Sequence, residues 1–313
     1  MSKIGISGAG AVSPAGWGIG VFNEALALGK RLPVEERVRP GREDDPSLVR
    51  PVPKVKLPIF RNPRLRRTSP VGRYIAAAAL EAIGDERGLA VKAGELRLGV
   101  VTTLFCGCVN YSQRFYREVL ADPHTASPIV FPETVFNAPS SHLSAMLGSH
   151  AVNYTMIGDT AEFLCGLEIA AGWLLNDEVD GCVVVCAEEF DWLTAEAMNL
   201  FQPGCVMGEG SAALYLEKSD SPQVELAQIA GPELITSTQP RREAEDRVRE
   251  AVVGNPTWVE PNATRDVLGE GLGVAGGWQC LFGFEKAKQG APQVAIGLSG
   301  VNEHCAAAVF HGS

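Results

Sequence analysis

The chain has 313 residues, 46% hydrophobic and 20% charged, a globular balance that excludes wholesale disorder. That length supplies core for two ordinary domains or one large α/β unit. With 27 basic against 37 acidic residues the net charge is −10, which excludes a general nucleic-acid binder.

Lys3 to Gly16 reads as a buried strand entering a turn of small residues. Its Gly8-x-Gly10 begins a dinucleotide fingerprint, but Ser13 stands where the third glycine belongs and Pro14 is badly placed for a helix interior. No acidic residue ends a second strand about twenty positions later, so no nicotinamide or flavin site, and no other cofactor, is expected. Residues 30–67 are rich in proline and arginine and read as an irregular surface excursion, with the four arginines of Arg61–Arg67 forming a solvated connection.

Helical spacing then covers Tyr74–Ile83, a core strand Leu98–Thr103 and a second helix Ser112–Leu120. An irregular segment, Ser127–Asn137, leads into Ser140–Leu147. Asn153–Ile157 reads as a strand, and Gly158–Thr160 as a turn. Glu162–Leu175 is a helix with Leu164, Leu167, Ala171, Leu174 and Leu175 on one side. Asp180–Ala187 is the clearest buried strand. Cys205–Gly210 is a turn and Ala212–Glu217 a strand. Residues 218–253 are polar around a charged helix, Arg241–Val252. Gly269–Lys288 is a helix, and Val294–Ile296 with Ala306–Phe310 are closing strands. Alternating strands and helices predict a layered α/β protein.

The eight cysteines are poorly spaced for metal. Cys106 and Cys108 stand one residue apart and Cys182 and Cys186 three, with no matching pair to complete a zinc set, so no metal site is expected. Cys182 and Cys186 fall in an apolar run and read as small buried hydrophobes. Free core thiols suit a reducing compartment. No charged-then-apolar leader opens the chain and no apolar stretch approaches membrane-spanning length, so a cytoplasmic protein without a membrane partner is expected.

The most informative segment is Gly158-Asp-Thr-Ala-Glu-Phe-Leu-Cys-Gly166. It resembles the nucleophile turn of β-ketoacyl synthases, in which Asp-Thr-Ala precedes the reactive cysteine. Other segments resemble the same family in the same order. Ile4–Gly16 is similar to its opening strand and turn, and Ser127–Asn137 with His142–Gly148 to the segment across its dimer interface. Asp177–Glu188 is similar to its Gly-Gly-x-Glu strand, although Cys186 and Ala187 replace the glycines. Val206-Met-Gly-Glu-Gly210 is similar to its Met-Gly-Glu-Gly turn, Leu268–Gly276 to its Leu-Gly-His-x-x-Gly motif, and Gly297–Phe310 to its closing glycine loop and strand. The resemblance covers nearly the whole chain.

This resemblance implies a thiolase-like, layered α-β-α-β-α fold. It would form one unit over residues 1–313, with two related halves, about 1–217 and a truncated 218–313, shortened relative to full ketosynthases. It also implies that the catalytic positions are lost. Glu162 stands for the nucleophile, Glu270 for the histidine of the Gly-His-x-x-Gly motif, and Asn262 for the other histidine. Two carboxylates and an amide reproduce neither cysteine attack nor stabilisation of a malonyl enolate. Cys165, three residues after Glu162 and inside the helix, reads as a packed structural thiol. Neither His142, in the interface match, nor Gly300, Val301 and His304, in the glycine-loop match, restores the set.

Two readings of Glu162 stay open: a helix-start carboxylate that stabilises the fold, or a mimic of a bound acyl or malonyl group that blocks the tunnel. Ketosynthase homologues lacking the cysteine resemble chain-length-factor (KS-β) subunits of type II polyketide synthases. The expectation is therefore a non-catalytic subunit, of a divergent branch serving polyene synthesis, that pairs with a catalytic ketosynthase and shapes the acyl tunnel. It would meet acyl carrier protein mainly through that partner. Tyr111, Phe115, Phe131, Val135 and Phe136 are the candidate tunnel and interface residues. The alternative is a homodimeric enzyme using Glu162 in decarboxylation or acyl transfer.

Overall fold

The computed structural model describes residues 3–39, 41–260, 262–300 and 304–313. Strand β1 (Lys3–Ser13) turns through the short β2 (Gly16–Trp17) into helix α1 (Ile19–Leu28). A hairpin, β3 (Glu35–Arg39) and β4 (Arg42–Arg50), precedes α2 (Pro70–Ile83), α3 (Asp85–Ala93), β5 (Leu98–Leu104) and α4 (Val109–Ala121). Next come α5 (Ala138–Leu147), β6 (Asn153–Ile157), α6 (Glu162–Leu175), β7 (Gly181–Glu188) and α7 (Trp192–Phe201). Then follow β8 (Met207–Gly208), β9 (Gly210–Ser219), β10 (Val224–Leu234), α8 (Arg241–Ala251) and β11 (Thr257–Val259). The chain closes with α9 (Asn262–Leu268), α10 (Gly273–Lys288), β12 (Gln293–Ser299) and β13 (His304–Gly312).

The large sheet runs in the order β11-β12-β13-β10-β1-β9-β7-β5-β6. Counted by chain order within the first half, β6-β5-β7-β9-β1 is third, second, fourth, fifth, first. The second half, β11-β12-β13-β10, repeats that order with one strand fewer. A single register pair, Gly5 with Glu225, joins the two. In the first half β7 pairs parallel with β5 and antiparallel with β9, and all residues of β5 and β7 are buried. Continuous apolar runs of this kind form where helices cover both faces of a sheet.

The helices supply those covers. On one outer side α2 packs on β1, β9 and β7; on the other α8 packs on β10, β13 and β12. Between them, α6 and α10 touch each other and strands of both halves, which gives the layer order α-β-α-β-α. Helix α10 is buried on nearly every side, from Gly273 through Trp278 to Ala287, as a helix between two sheets must be. The main core lies in this middle layer, and a second lies under α2.

Local chemistry explains several boundaries. Ser69 caps α2, its hydroxyl accepting from Gly72 N–H at 3.3 Å, with Pro70 preset for the first turn. That helix therefore begins four residues before the apolar spacing that marked it. Gly8 and Gly10 let α2 approach β1 closely: a Cβ would stand 1.9 Å from Ala82 O and 2.0 Å from Ala78 O. The paired glycines are thus accounted for by helix–strand packing.

Three expectations need correction. Residues 30–67 are not wholly irregular, because β3 and β4 pair there and β4 also pairs in parallel with β8. The hairpin is mostly charged and exposed and carries no apolar alternation; only Val49 and Arg50 are buried. The polar stretch after residue 217 contains β10, which joins the halves of the sheet. Helix α10 begins at Gly273; Gly269 to Leu272 form a turn in which Leu272 is left-handed, with φ of 48°. Among the described residues no helix is long and apolar enough to cross a membrane.

Candidate functional site at the start of helix α6

The loop after β6 delivers the residues that the sequence singled out. Glu162 N–H donates to Asp159 O at 3.0 Å as α6 begins, and Thr160 Oγ donates to the carbonyl of Leu272 at 3.0 Å. The Glu162 carboxylate folds back over Gly158, where a Cβ would lie 2.6 Å from Oε2. Its Oε2 stands 3.8 Å from His304 Nε2 at the start of β13. Cys165, one turn along α6, places Sγ 3.4 Å from the same nitrogen.

His304 therefore sits beside α6, whereas the sequence reading left it in a separate loop motif. Cys165 is half-buried, and burial, then the charges of Glu162 and Glu168, push its thiol up to about 12. At neutral pH it is a thiol and a poor nucleophile. Gly300 lies against Asp159, since a Cβ there would meet Oδ1 at 2.2 Å, and its N–H donates to His304 O. Val301 lies outside the described residues.

Beneath this loop the ends of β5 and β7 hold a second acidic centre. Glu188 accepts N–H bonds from Phe105 and Cys106, and Glu189 accepts one from Asn110. Both are almost wholly buried, and desolvation outweighs those bonds, so each carboxyl is pushed up to about 8. Glu209, raised by burial as well, accepts from Val52 N–H, Phe190 N–H and the Tyr74 hydroxyl. The sequence placed Glu188 and Glu209 in motif matches without a role and left Glu189 out, because a glutamate beside a buried strand carries no mark of where its side chain ends.

A pH dependence follows. A carboxyl raised in the folded state stabilises the fold fully below its unfolded value, near 4.5, and that contribution is lost as pH rises through about 8. Denaturant unfolding should therefore show stability falling by a few kcal/mol between about pH 5 and about pH 9, with a flatter profile in Glu188→Gln. A native profile that rises across this range would refute the assignment.

Glu270 is held in place: its Oε1 accepts from Leu272 N–H at 2.9 Å and its Oε2 lies 3.3 Å from Arg265 Nε. With Thr160, Gln279 and Ser299 it lines a cavity of about 280 Å³, whose wall also carries Arg241, Arg249 and Arg265. The one thiol lining this cavity, Cys305, is raised by burial. The cavity offers guanidinium, amide and hydroxyl groups that can bind a polar or anionic chain, but no activated nucleophile. Asn262 is exposed at the first residue of α9 and does not line it.

The five aromatic and branched candidates belong to α4 and to the segment that leads into α5. Phe115 and Phe131 rings stand 5.4 Å apart, and Tyr111 and Phe136 pack on the core under α2. Phe131 and Val135 are exposed, Phe131 by 54%. His142 pairs with Glu133 at 2.9 Å. Strand β6 ends the large sheet and exposes Tyr154 by 52% and Ile157 by 58%.

No protein-family model matches the sequence, and no curated protein matches it. Solved structures do. The ishigamide ketosynthase/chain length factor superposes with a TM-score of 0.82 at 16% identity, covering 99% of each chain. A β-ketoacyl synthase from Burkholderia phymatum gives 0.81 at 15%, covering 100% of both. The ketosynthase ApeO in complex with its chain length factor ApeC, from Xenorhabdus doucetiae, gives 0.81 at 14%, covering 100% of this chain and 98% of that one. The chain has the thiolase-type ketosynthase fold, as its motifs implied.

Proposed function

We propose that this protein is a non-catalytic ketosynthase-like subunit, a chain-length factor that pairs with a catalytic ketosynthase in type II polyketide biosynthesis. The observation that carries the reading is the chemistry at the start of α6. A carboxylate occupies the nucleophile's place, and the nearest thiol is held protonated by burial and two neighbouring carboxylates. Glu270, at the place of a family histidine, is engaged by Arg265 and the Leu272 N–H. Among the described residues here, no thiol is activated for attack.

The surface supports a partner of the same fold. An edge strand bearing exposed apolar residues pairs readily with another chain, and β6, which ends the large sheet, exposes Tyr154 and Ile157. Within this reading Phe115, Phe131 and Phe136 border the surface where a covering partner would enclose an acyl chain. Kinship to ketosynthase/chain length factor pairs among the similar structures fits the same reading. The net charge of −10 suits a subunit that leaves docking of an acidic carrier protein to its partner. Within this reading the product is a reduced, polyene-type chain and the complex is cytoplasmic.

Co-expression with a catalytic ketosynthase of the same biosynthetic system tests this. The expected result is a stable 1:1 complex whose product length shifts when Phe115 or Phe136 is replaced by alanine. Turnover of malonyl-carrier substrate by this chain alone, abolished by Glu162→Gln, would sink the proposal and favour a Glu162-dependent enzyme.

A further inference from the structure

Glu162, Cys165 and His304 present a carboxylate oxygen, a sulfur and an imidazole nitrogen, all within 4.8 Å of one another. The first two stand on one side of α6, three residues apart, and the third arrives from β13. Cys165 Sγ lies 3.4 Å and Glu162 Oε2 3.8 Å from His304 Nε2. Ligands of a tetrahedral zinc, with Zn–S near 2.3 Å and Zn–N or Zn–O near 2.0 Å, stand about 3.3 to 3.6 Å apart, so the two distances to His304 require only tenths of an ångström of adjustment.

We infer that Glu162, Cys165 and His304 form a binding site for Zn²⁺, with the fourth position left to water. The mixed S, N, O set selects a borderline-soft cation over Mg²⁺ or Ca²⁺, which prefer oxygen alone. Charge closes as well: one thiolate and one carboxylate neutralise the dication, and the imidazole binds as the neutral ring. Binding breaks the Cys165 S–H bond, forms the Zn–S bond and releases one proton to solvent. No electron is transferred. The ion would tie the first turns of α6 to β13, joining the two halves of the sheet through the middle layer. The cysteine spacings carried no sign of this, because two of the three ligands are not cysteines and 139 residues separate Cys165 from His304.

The inference is independent of the chain-length reading, since it is measured on the full chain alone. Titration with Co²⁺ should produce a thiolate-to-cobalt charge-transfer band with the visible bands of a tetrahedral ion, and Zn²⁺ should abolish both at one equivalent. Cys165→Ser and His304→Ala should each remove the charge-transfer band, while Cys205→Ser retains it. Glu162→Gln should weaken binding at least about tenfold, the loss common even for an outer-sphere partner. Far-ultraviolet circular dichroism without metal checks that each variant is folded. No band in the native chain, or a band that survives in folded Cys165→Ser, would overturn the assignment.

Discussion

A chain carrying Tyr154→Asp and Ile157→Asp is expected to remain folded and, under the proposed chain-length-factor role, to lose binding to a catalytic ketosynthase. Both side chains are more than half exposed on edge strand β6, so neither holds the core together. At an interface they would be buried, and each aspartate would then have to shed its hydration without a paired charge. Apolar anchors at the centre of such interfaces carry about 2 kcal/mol or more each. Two such losses should raise the dissociation constant at least a hundredfold, about 3 kcal/mol. Size-exclusion chromatography of the co-expressed pair, with thermal melting of the isolated variant, separates loss of pairing from loss of fold. Unchanged co-elution would remove β6 from the interface and require another surface for the partner.

The second large effect is on stability. Gly10→Val should cost more than about 4 kcal/mol and depress the melting temperature by roughly 10 °C or abolish soluble expression. The reason is a backbone contact. A Cβ at Gly10 would meet Ala78 O at 2.0 Å and Ala78 C at 2.9 Å, and a helix backbone cannot rotate away as a side chain can. To admit the valine, α2 must lift from β1, which opens the core containing Ile75, Ala78 and Val183. Gly20→Ala is the matched control. Gly20 lies in α1 with nothing within 4 Å of its would-be Cβ, so alanine there should be neutral or stabilise by up to about 1 kcal/mol. Equal melting temperatures for the two variants would show that α2 and β1 do not pack as described.

Much of the architecture was legible because its signals are local. The unbroken apolar run of β7 follows from burial on both faces and the 3.6-residue spacing of α6 from burial along one stripe. Both elements stand where that pattern put them, although Leu175, counted in the stripe, is exposed at the end of the helix. Order along the chain did the rest, since the segments resembling ketosynthase motifs recur in sequence and the neighbours share the fold. Hairpin β3–β4 was not legible because its residues are mostly charged and exposed, and strand β10 because its partners, β1 and β13, lie far away in the chain. The register shift of β10 against β13 after Ala230 further blurs any alternation.

What the sequence by itself determined, then, is the layered α/β class, the ketosynthase-like order of its motifs and the carboxylate at Glu162. Tertiary structure decided the surroundings of that carboxylate. It carried His304 across to Cys165 and Glu162, left Asn262 exposed, and buried Glu188 and Glu189 deeply enough to hold protons near neutral pH. The division has a plain physical origin. Periodicity and turn residues report the hydrogen bonding and burial of consecutive residues, whereas a site depends on side chains that meet only after separate layers have packed.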